Sequence, residues 1–157
     1  VPLPDRPTLR KKYRLVDLRR WAAFRGVTFN AEPKFYQGEV EEPNERDGAL
    51  MVVAAKEAGL DSLKLAHAIS RALWAEERNP FNKNELIRIA DAEGFDGFSL
   101  YERTNDEEII AAYSANTQKS IEREVFGMPF YIVHGQPYWG QDRLELMEYV
   151  LSTEEND

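Results

Sequence analysis

The spacing of apolar side chains changes along the chain at about residue 124. Before that point they recur every three or four residues, which is the spacing of one face of an α-helix. We predict a helix from Pro7 to about Arg25, an irregular loop at Phe29–Asp47, and then a series of helices. Asn82 followed by Glu85 predicts a capping box at the start of one of these helices. Most of the chain is therefore predicted to be helical.

The last part of the chain has the pattern of a β-hairpin followed by a helix. Phe130–Val133 is a short, continuous run of β-forming residues, which predicts a buried strand. His134–Pro137 contains the Gly and Pro of a turn, and a return strand begins near Tyr138. Helical spacing resumes over Asp142–Leu151. Because a two-stranded hairpin is marginal in water, we expect Phe130–Val133 either to have an open edge within residues 1–157 or to pair with a strand from outside them.

Pro129 stands at the first position of the predicted strand, after Gly127 and Met128. Proline lacks an N–H group, so it suits the start of a strand. A cis X-Pro bond is kept where a tight turn needs it. We therefore predict that the Met128–Pro129 bond is cis and that the backbone of Met128 is turned toward a ligand. The simpler interpretation, which stays open, is that Pro129 only shapes a turn.

The segment Trp139, Gly140, Gln141 and Asp142 leads from the return strand into the last helix. A carboxylate near the start of a helix is favoured by the helix dipole. Asp142 could therefore hold an ammonium group or a backbone amine. The alternative is that Asp142 only caps the helix.

Composition excludes several classes of protein. A chain of 157 residues with a net charge of -8 is long enough for one domain and is a poor candidate for binding nucleic acid. The sequence contains no apolar run of about 18 residues, so it predicts no membrane span. The absence of cysteine excludes disulfides and a Cys-x-x-Cys motif within these residues, and we expect a cytoplasmic protein. His67 and His134 do not have the pattern of a metal site.

Three segments, in order, resemble one family. Val125–Leu146 is similar to the C-terminal signature of DsbA-like thioredoxin-fold proteins, and among them to 2-hydroxychromene-2-carboxylate isomerases and kappa-class glutathione transferases. Arg10–Val27 and Ala72–Glu76 are similar to the same proteins. The resemblance implies an α/β, thioredoxin-like (DsbA-like) fold with a large helical insertion. The insertion would occupy residues 1–103, and residues 104–157 would form the C-terminal half of the thioredoxin-like domain.

The resemblance also implies a glutathione site and a small-molecule substrate. The residues implied to bind glutathione are Met128, Pro129, Trp139, Gly140, Gln141 and Asp142. Tyr36 and Arg6 would contact the substrate, an unsaturated aromatic-derived acid that is isomerised by reversible thiolate addition. Asp5, beside Arg6, departs from the family pattern and would repel the carboxylate of such an acid.

In this family a strand-helix-strand unit with a catalytic serine comes first, and nothing in these residues matches it. We therefore expect that unit to lie outside this sequence, with no catalytic residue in the chain itself. Two alternatives stay open: a DsbA-like thiol-disulfide oxidoreductase with cysteines upstream, and a non-catalytic binding module. The expected partner is a small molecule, not a membrane or nucleic acid, and a homodimer stays open.

Overall fold

The computed structural model describes residues 5–36 and 45–154. The helices and strands in these ranges are α1 (Thr8–Arg25), α2 (Glu45–Glu57), α3 (Ser62–Trp74), α4 (Lys83–Ala92), α5 (Gly97–Glu102), α6 (Glu107–Glu122), β1 (Phe130–Val133), β2 (Gln136–Trp139) and α7 (Leu144–Glu154). Short 3-10 turns precede α6, at Arg103–Asn105, and α7, at Gln141–Arg143. None of the described helices is both long and apolar enough to cross a membrane.

The chain divides into two compact units. We call Val1–Tyr113 the helical unit and Ser114–Asp157 the C-terminal unit. The domain boundary predicted between residues 103 and 104 stays a prediction. The order of elements, with helices first and then strand, strand and helix, is the order that the sequence predicts.

A hydrophobic core holds the helical unit together. Its largest buried side chains come from five helices: Leu50 and Met51 of α2, Leu65 of α3, Leu86 of α4, Leu100 of α5, and Ile109 of α6. Ile89 of α4 forms a second, smaller cluster with Ala68 and Ala72 of α3. Full burial of a side chain of this size contributes about 1.5–3 kcal/mol. Packing of these helices is therefore the main source of stability in this unit.

Side-chain caps begin three of these helices. Asp61 caps α3, Asn82 caps α4 and Asp96 caps α5, and each accepts a hydrogen bond from a backbone N–H three residues on, at 2.9, 3.2 and 2.9 Å. Such a cap satisfies a donor that the helix itself leaves unpaired. These helix starts are therefore fixed by local sequence.

The C-terminal unit contains an antiparallel hairpin in which Phe130 pairs with Trp139 and Ile132 pairs with Pro137. The predicted bounds of β1 are confirmed. The prediction that β1 is buried is wrong: none of its residues is buried, and Ile132 is 38% exposed. The reason is that, in the part of the chain described, β1 pairs only with β2, so its other edge is uncovered, and the predicted open edge is confirmed.

The two outer edges of the hairpin differ chemically. The N–H of Gly140 donates to the carbonyl oxygen of Pro129 at 3.0 Å, which identifies the hydrogen-bonded pairs of the ladder. By alternation, the backbone N–H groups of Phe130 and Ile132 point away from β2. Pro137 also points its nitrogen outward but has no hydrogen on it. The β1 edge therefore presents donors, whereas the β2 edge lacks one at Pro137.

Candidate functional site

The hairpin register brings together the residues predicted to bind glutathione. Phe130 pairs with Trp139, so Met128 and Pro129 enter one strand where Gly140 leaves the other. The N–H of Gly140 donates to the Pro129 carbonyl oxygen and joins the two segments directly. The Met128–Pro129 bond is cis, which is the isomer predicted from the sequence.

The indole of Trp139 packs closely over Gly127. A Cβ atom at Gly127 would lie 2.7 Å from Nε1 of Trp139, so no larger residue fits there without a shift. Phe126 contacts the Trp139 ring edge-on, with 5.1 Å between the ring centroids. Trp139 nevertheless stays 53% exposed. The indole is therefore held in place and still accessible to a ligand.

The backbone of Met128 is open to a ligand. Met128 is 82% exposed. Its N–H and C=O groups form no hydrogen bond with any residue in the described ranges. Backbone groups of this kind take a partner from water or from a bound molecule. They can therefore pair with the main chain of a peptide-like ligand.

Asp142 lies in the 3-10 turn that precedes α7. Its Oδ2 atom is 2.9 Å from Nη1 of Arg143, and the two side chains are 46% and 49% exposed. An exposed ion pair contributes about 0–1 kcal/mol. The Asp142 carboxylate can therefore exchange Arg143 for a ligand ammonium group at small cost. Gln141 is exposed beside it.

Tyr36 lies in the helical unit and lines an apolar pocket of about 300 Å³. We call this cavity the Tyr36 pocket. It is lined mainly by Tyr36, Val52, Ile69, Leu73, Trp74 and Phe81, together with Glu45 and Ser70. The ring centroids of Tyr36 and Trp74 are 4.8 Å apart. Phe29 stacks on Trp74, with 5.6 Å between the ring centroids and an angle of 7° between the ring planes.

The loop that carries Tyr36 is anchored to the end of α3. The N–H of Asn30 donates to the carbonyl oxygen of Trp74 at 2.6 Å. The side chain of Asn30 also donates to Glu77, and Pro33 is fully buried. The first part of the predicted irregular loop is thus held in one conformation. Its continuation, residues 37–44, lies outside the described residues.

Arg6 is exposed and lines a different pocket, a groove along α1 that also includes Arg10 and Tyr13. The two residues predicted to contact substrate, Arg6 and Tyr36, therefore do not line the same pocket. Both belong to the helical unit, whereas the residues predicted to bind glutathione belong to the C-terminal unit.

Among the residues that line the Tyr36 pocket, Tyr36 alone was predicted from the sequence to contact a ligand. Trp74 lies within Ala72–Glu76, a segment that resembles the family. That resemblance was the feature of the sequence that could have indicated a role for Trp74. A tryptophan on a helix is more often part of a core than of a site. In the structure Trp74 is only half-buried and faces a cavity.

No group of three or more His, Asp or Glu side chains suitable for a metal ion lies within residues 5–36 and 45–154. His67 is exposed on α3, and His134 is exposed in the hairpin turn. The two histidines belong to different units.

Similarity to known proteins covers most of the chain. The chain is 25% identical over 138 residues to 2-hydroxychromene-2-carboxylate isomerase of Pseudomonas putida, an alignment that covers 87% of this chain and 63% of that protein. It is 22% identical over 143 residues to Glutathione S-transferase kappa 1 of Caenorhabditis elegans, with coverage of 87% and 63%. The chain therefore spans less than two thirds of the length of these relatives.

A solved structure of a 2-hydroxychromene-2-carboxylate isomerase matches this chain with a TM-score of 0.73. The sequences are 22% identical, and the match covers 95% of this chain and 71% of the other. The likeness confirms the predicted thioredoxin-like fold of the DsbA type. The family model of the DSBA-like thioredoxin domain matches residues 3–152. The chain belongs to the family of DSBA-like thioredoxin domains.

Proposed function

We propose that this chain belongs to a glutathione-dependent isomerase that acts on an unsaturated, aromatic-derived acid. The observation that carries the proposal is the juxtaposition, in one hairpin, of the unpaired Met128 backbone and the segment from Trp139 to Asp142. The names of the relatives support the same choice, since one is an isomerase and another is a glutathione transferase.

The residues present fit the functional groups of glutathione. This tripeptide has a free α-ammonium group at one end and backbone amides in the middle. Met128 would pair with the cysteinyl backbone, and Asp142 would accept a charge-assisted hydrogen bond from the ammonium group. Pro129, Trp139, Gly140 and Gln141 would line the rest of the site. Bound glutathione would supply the thiolate that adds reversibly to the substrate.

The substrate side of the proposal uses the helical unit. Tyr36 would contact the aromatic part of the substrate through its pocket. Arg6 stays the predicted contact of the carboxylate, although in this chain it lines a different pocket from Tyr36. We assign no residue of this chain as catalytic. The serine hydroxyl that promotes the thiolate is proposed to come from outside these residues.

The test is an isomerisation assay on the intact protein with 2-hydroxychromene-2-carboxylate as the probe substrate. We expect turnover that depends on glutathione and saturates with it. S-Methylglutathione is the matched control, because it keeps the binding groups and lacks the thiol. It should bind and should not support turnover. Equal turnover without glutathione, or with its S-methyl form, would contradict the proposal.

The same preparation distinguishes the two alternatives. Reduction of a protein disulfide by the intact protein, with no isomerisation, would support a thiol-disulfide oxidoreductase. Glutathione binding with neither reaction would support a binding module. Either result would replace the proposed function.

A further inference from the structure

Glu77 has a backbone conformation that is rare for its residue type. Its φ angle is 52°, in the left-handed region that strains a residue with a side chain. It lies in the turn after α3, where the N–H of Arg78 donates to the carbonyl oxygen of Ala72 at 2.9 Å. Glycine would make the same turn without strain. The turn alone therefore gives no reason for a glutamate at this position.

The side chain of Glu77 binds the segment that carries Tyr36. One carboxylate oxygen accepts a hydrogen bond from the side-chain amide of Asn30, and the other accepts one from the backbone N–H of Lys34 at 3.4 Å. Glu77 is half-buried and forms no ion pair with any residue in the described ranges. Both of its charge-assisted hydrogen bonds therefore go to residues 29–36, which we call the Tyr36 loop.

The side chains on either side of Glu77 bind a different part of the molecule. Oε1 of Glu76 lies 2.8 Å from Nε of Arg71 on α3. Arg78 pairs with Glu85 of α4. These ion pairs connect α3, α4 and the segment between them. Glu77 differs because its two partners lie 47 and 43 residues earlier in the chain.

The backbone gives the Tyr36 loop a second attachment to the end of α3. The N–H of Asn30 donates to the carbonyl oxygen of Trp74 at 2.6 Å, three residues before Glu77. Pro33 is fully buried, and its carbonyl oxygen accepts from the N–H of Tyr36 at 3.1 Å. The loop is therefore attached on both sides of Pro33, and the attachment at Glu77 is the one nearer to Tyr36.

We infer that Glu77 is a positioning residue, whose carboxylate holds the Tyr36 loop against the end of α3 and thereby fixes Tyr36 at its pocket. Glu77 itself does not line that pocket. A strained backbone persists where the surrounding contacts compensate for it, and the two hydrogen bonds to the loop supply that compensation. The inference rests on the proposed function in taking Tyr36 as a substrate contact.

Glu77→Gly separates the backbone of this residue from its side chain, because glycine keeps the positive φ and removes both acceptors. Amide hydrogen exchange of the intact protein, followed by NMR, measures the effect. The N–H of Asn30 is bonded to Trp74 and not to Glu77. It should nevertheless exchange about tenfold faster or more, because the whole loop is released. The N–H of Leu86, in the core, should stay within about threefold of its wild-type rate.

Two further variants are the controls. Glu124→Gly makes the same replacement at an exposed glutamate with φ 56°, whose carboxylate has no partner in the part of the chain that the structure describes. It should leave exchange at Asn30 unchanged. Glu77→Gln keeps the length and one acceptor oxygen, so it should restore most of the protection. Unchanged exchange at Asn30 in Glu77→Gly, or equal acceleration in Glu124→Gly, would overturn the inference.

Steady-state kinetics of the intact protein test the positioning of Tyr36. With 2-hydroxychromene-2-carboxylate, Glu77→Gly should raise KM at least about fivefold and change kcat by less than about twofold, since the variant loses a contact made equally in the bound substrate and the transition state. KM for glutathione should not change, and Glu77→Gln should restore KM for the substrate. A released loop with an unchanged KM for this substrate would overturn the positioning role.

The exchange experiment and the assay of the proposed function can fail separately, because exchange is measured without glutathione or substrate. Faster exchange at Asn30 in Glu77→Gly, in a protein without glutathione-dependent turnover, would reject only the proposed function. Glutathione-dependent turnover by the wild type, with unchanged exchange in Glu77→Gly, would reject only the inference about Glu77.

Discussion

Single residues determine the shape of the candidate glutathione site. The backbone φ angle of Gly140 is 115°. Glycine adopts this conformation readily, whereas other residues rarely do. A Cβ atom at this position would lie 2.5 Å from Oδ1 of Asp142. The glycine therefore allows the carboxylate to fold back beside the end of β2. That Gly140 and Asp142 lie together was predictable from the sequence, because they are close along the chain. Their ligand stays a proposal.

Replacing Asp142 tests its proposed role. Asp142→Ala in the intact protein should weaken glutathione binding by about 1.5–3 kcal/mol, because a charge-assisted hydrogen bond is lost. Calorimetry on both proteins measures the change. Glu145→Ala, which removes an exposed carboxylate from the first turn of α7, is the control. Unchanged affinity in Asp142→Ala would leave Asp142 with a purely structural role.

Tyr101 is a residue whose contribution to stability should depend on pH. Burial, followed by a hydrogen bond of 2.7 Å to Asp47, raises the pKa of Tyr101 to about 12. The pKa of an unfolded tyrosine is about 10. The folded state therefore keeps the proton longer than the unfolded state. The resulting stabilisation is complete below pH about 10 and is lost as the pH rises to about 12.

Tyr101→Phe should remove this dependence. Urea unfolding of both proteins at pH 8 and pH 11 measures it. Between pH 8 and pH 11 the difference in free energy of unfolding between the wild type and Tyr101→Phe should decrease, at most by about 1.4 kcal/mol per pH unit above pH 10. A constant difference between the two proteins would show that the phenol has the same pKa in both states.

At the scale of elements, local signals were predictable and long-range contacts were not. The capping box at the start of α4 illustrates both. Asn82 caps the helix as predicted. Glu85 does not complete the box, because its carboxylate binds Arg78 and Arg88 instead. The hydrogen bond from Arg78 also holds the pKa of Glu85 below its usual range. Arg78 approaches from outside the helix, so helical spacing alone could not reveal this contact.

The cap on α4 gives a prediction at this scale. Asn82→Ala should lower the free energy of unfolding by about 0.5–2 kcal/mol, because the N–H of Glu85 loses its acceptor. Asn84→Ala, an exposed substitution within the same helix, is the control and should change it by no more than about 0.5 kcal/mol. Chemical denaturation followed by circular dichroism distinguishes the two. Equal effects would mean that helix propensity, not capping, dominates.

At the scale of the whole molecule, burial is unevenly distributed. The buried hydrophobic side chains all lie in the helical unit, and no described residue of the C-terminal unit is buried. The resemblance to a known family predicted the overall fold. The Tyr36 pocket was not predictable, because its lining comes from a loop, two helices and the segment after α3. Helical periodicity along one segment carries no information about which segments will meet.

This distribution predicts where mutations matter. Leu86→Ala should cost about 2–5 kcal/mol, because it leaves a cavity in the core. In the 157-residue chain, where the β1 strand is exposed, Ile132→Ala should cost less than about 1 kcal/mol. Denaturation curves of the two variants and the wild type measure both changes. A larger loss for Ile132→Ala would mean that β1 is covered in solution.

The asymmetry of the hairpin edges has a consequence for assembly. A further strand placed beside β2 would face a missing donor at Pro137, whereas one placed beside β1 would find the N–H groups of Phe130 and Ile132. Proline at an edge is a common means of preventing unwanted pairing. The sheet therefore has a direction of growth. Any strand that joins it, from this protein or from a neighbour, is directed to the free edge of β1 and not to the free edge of β2.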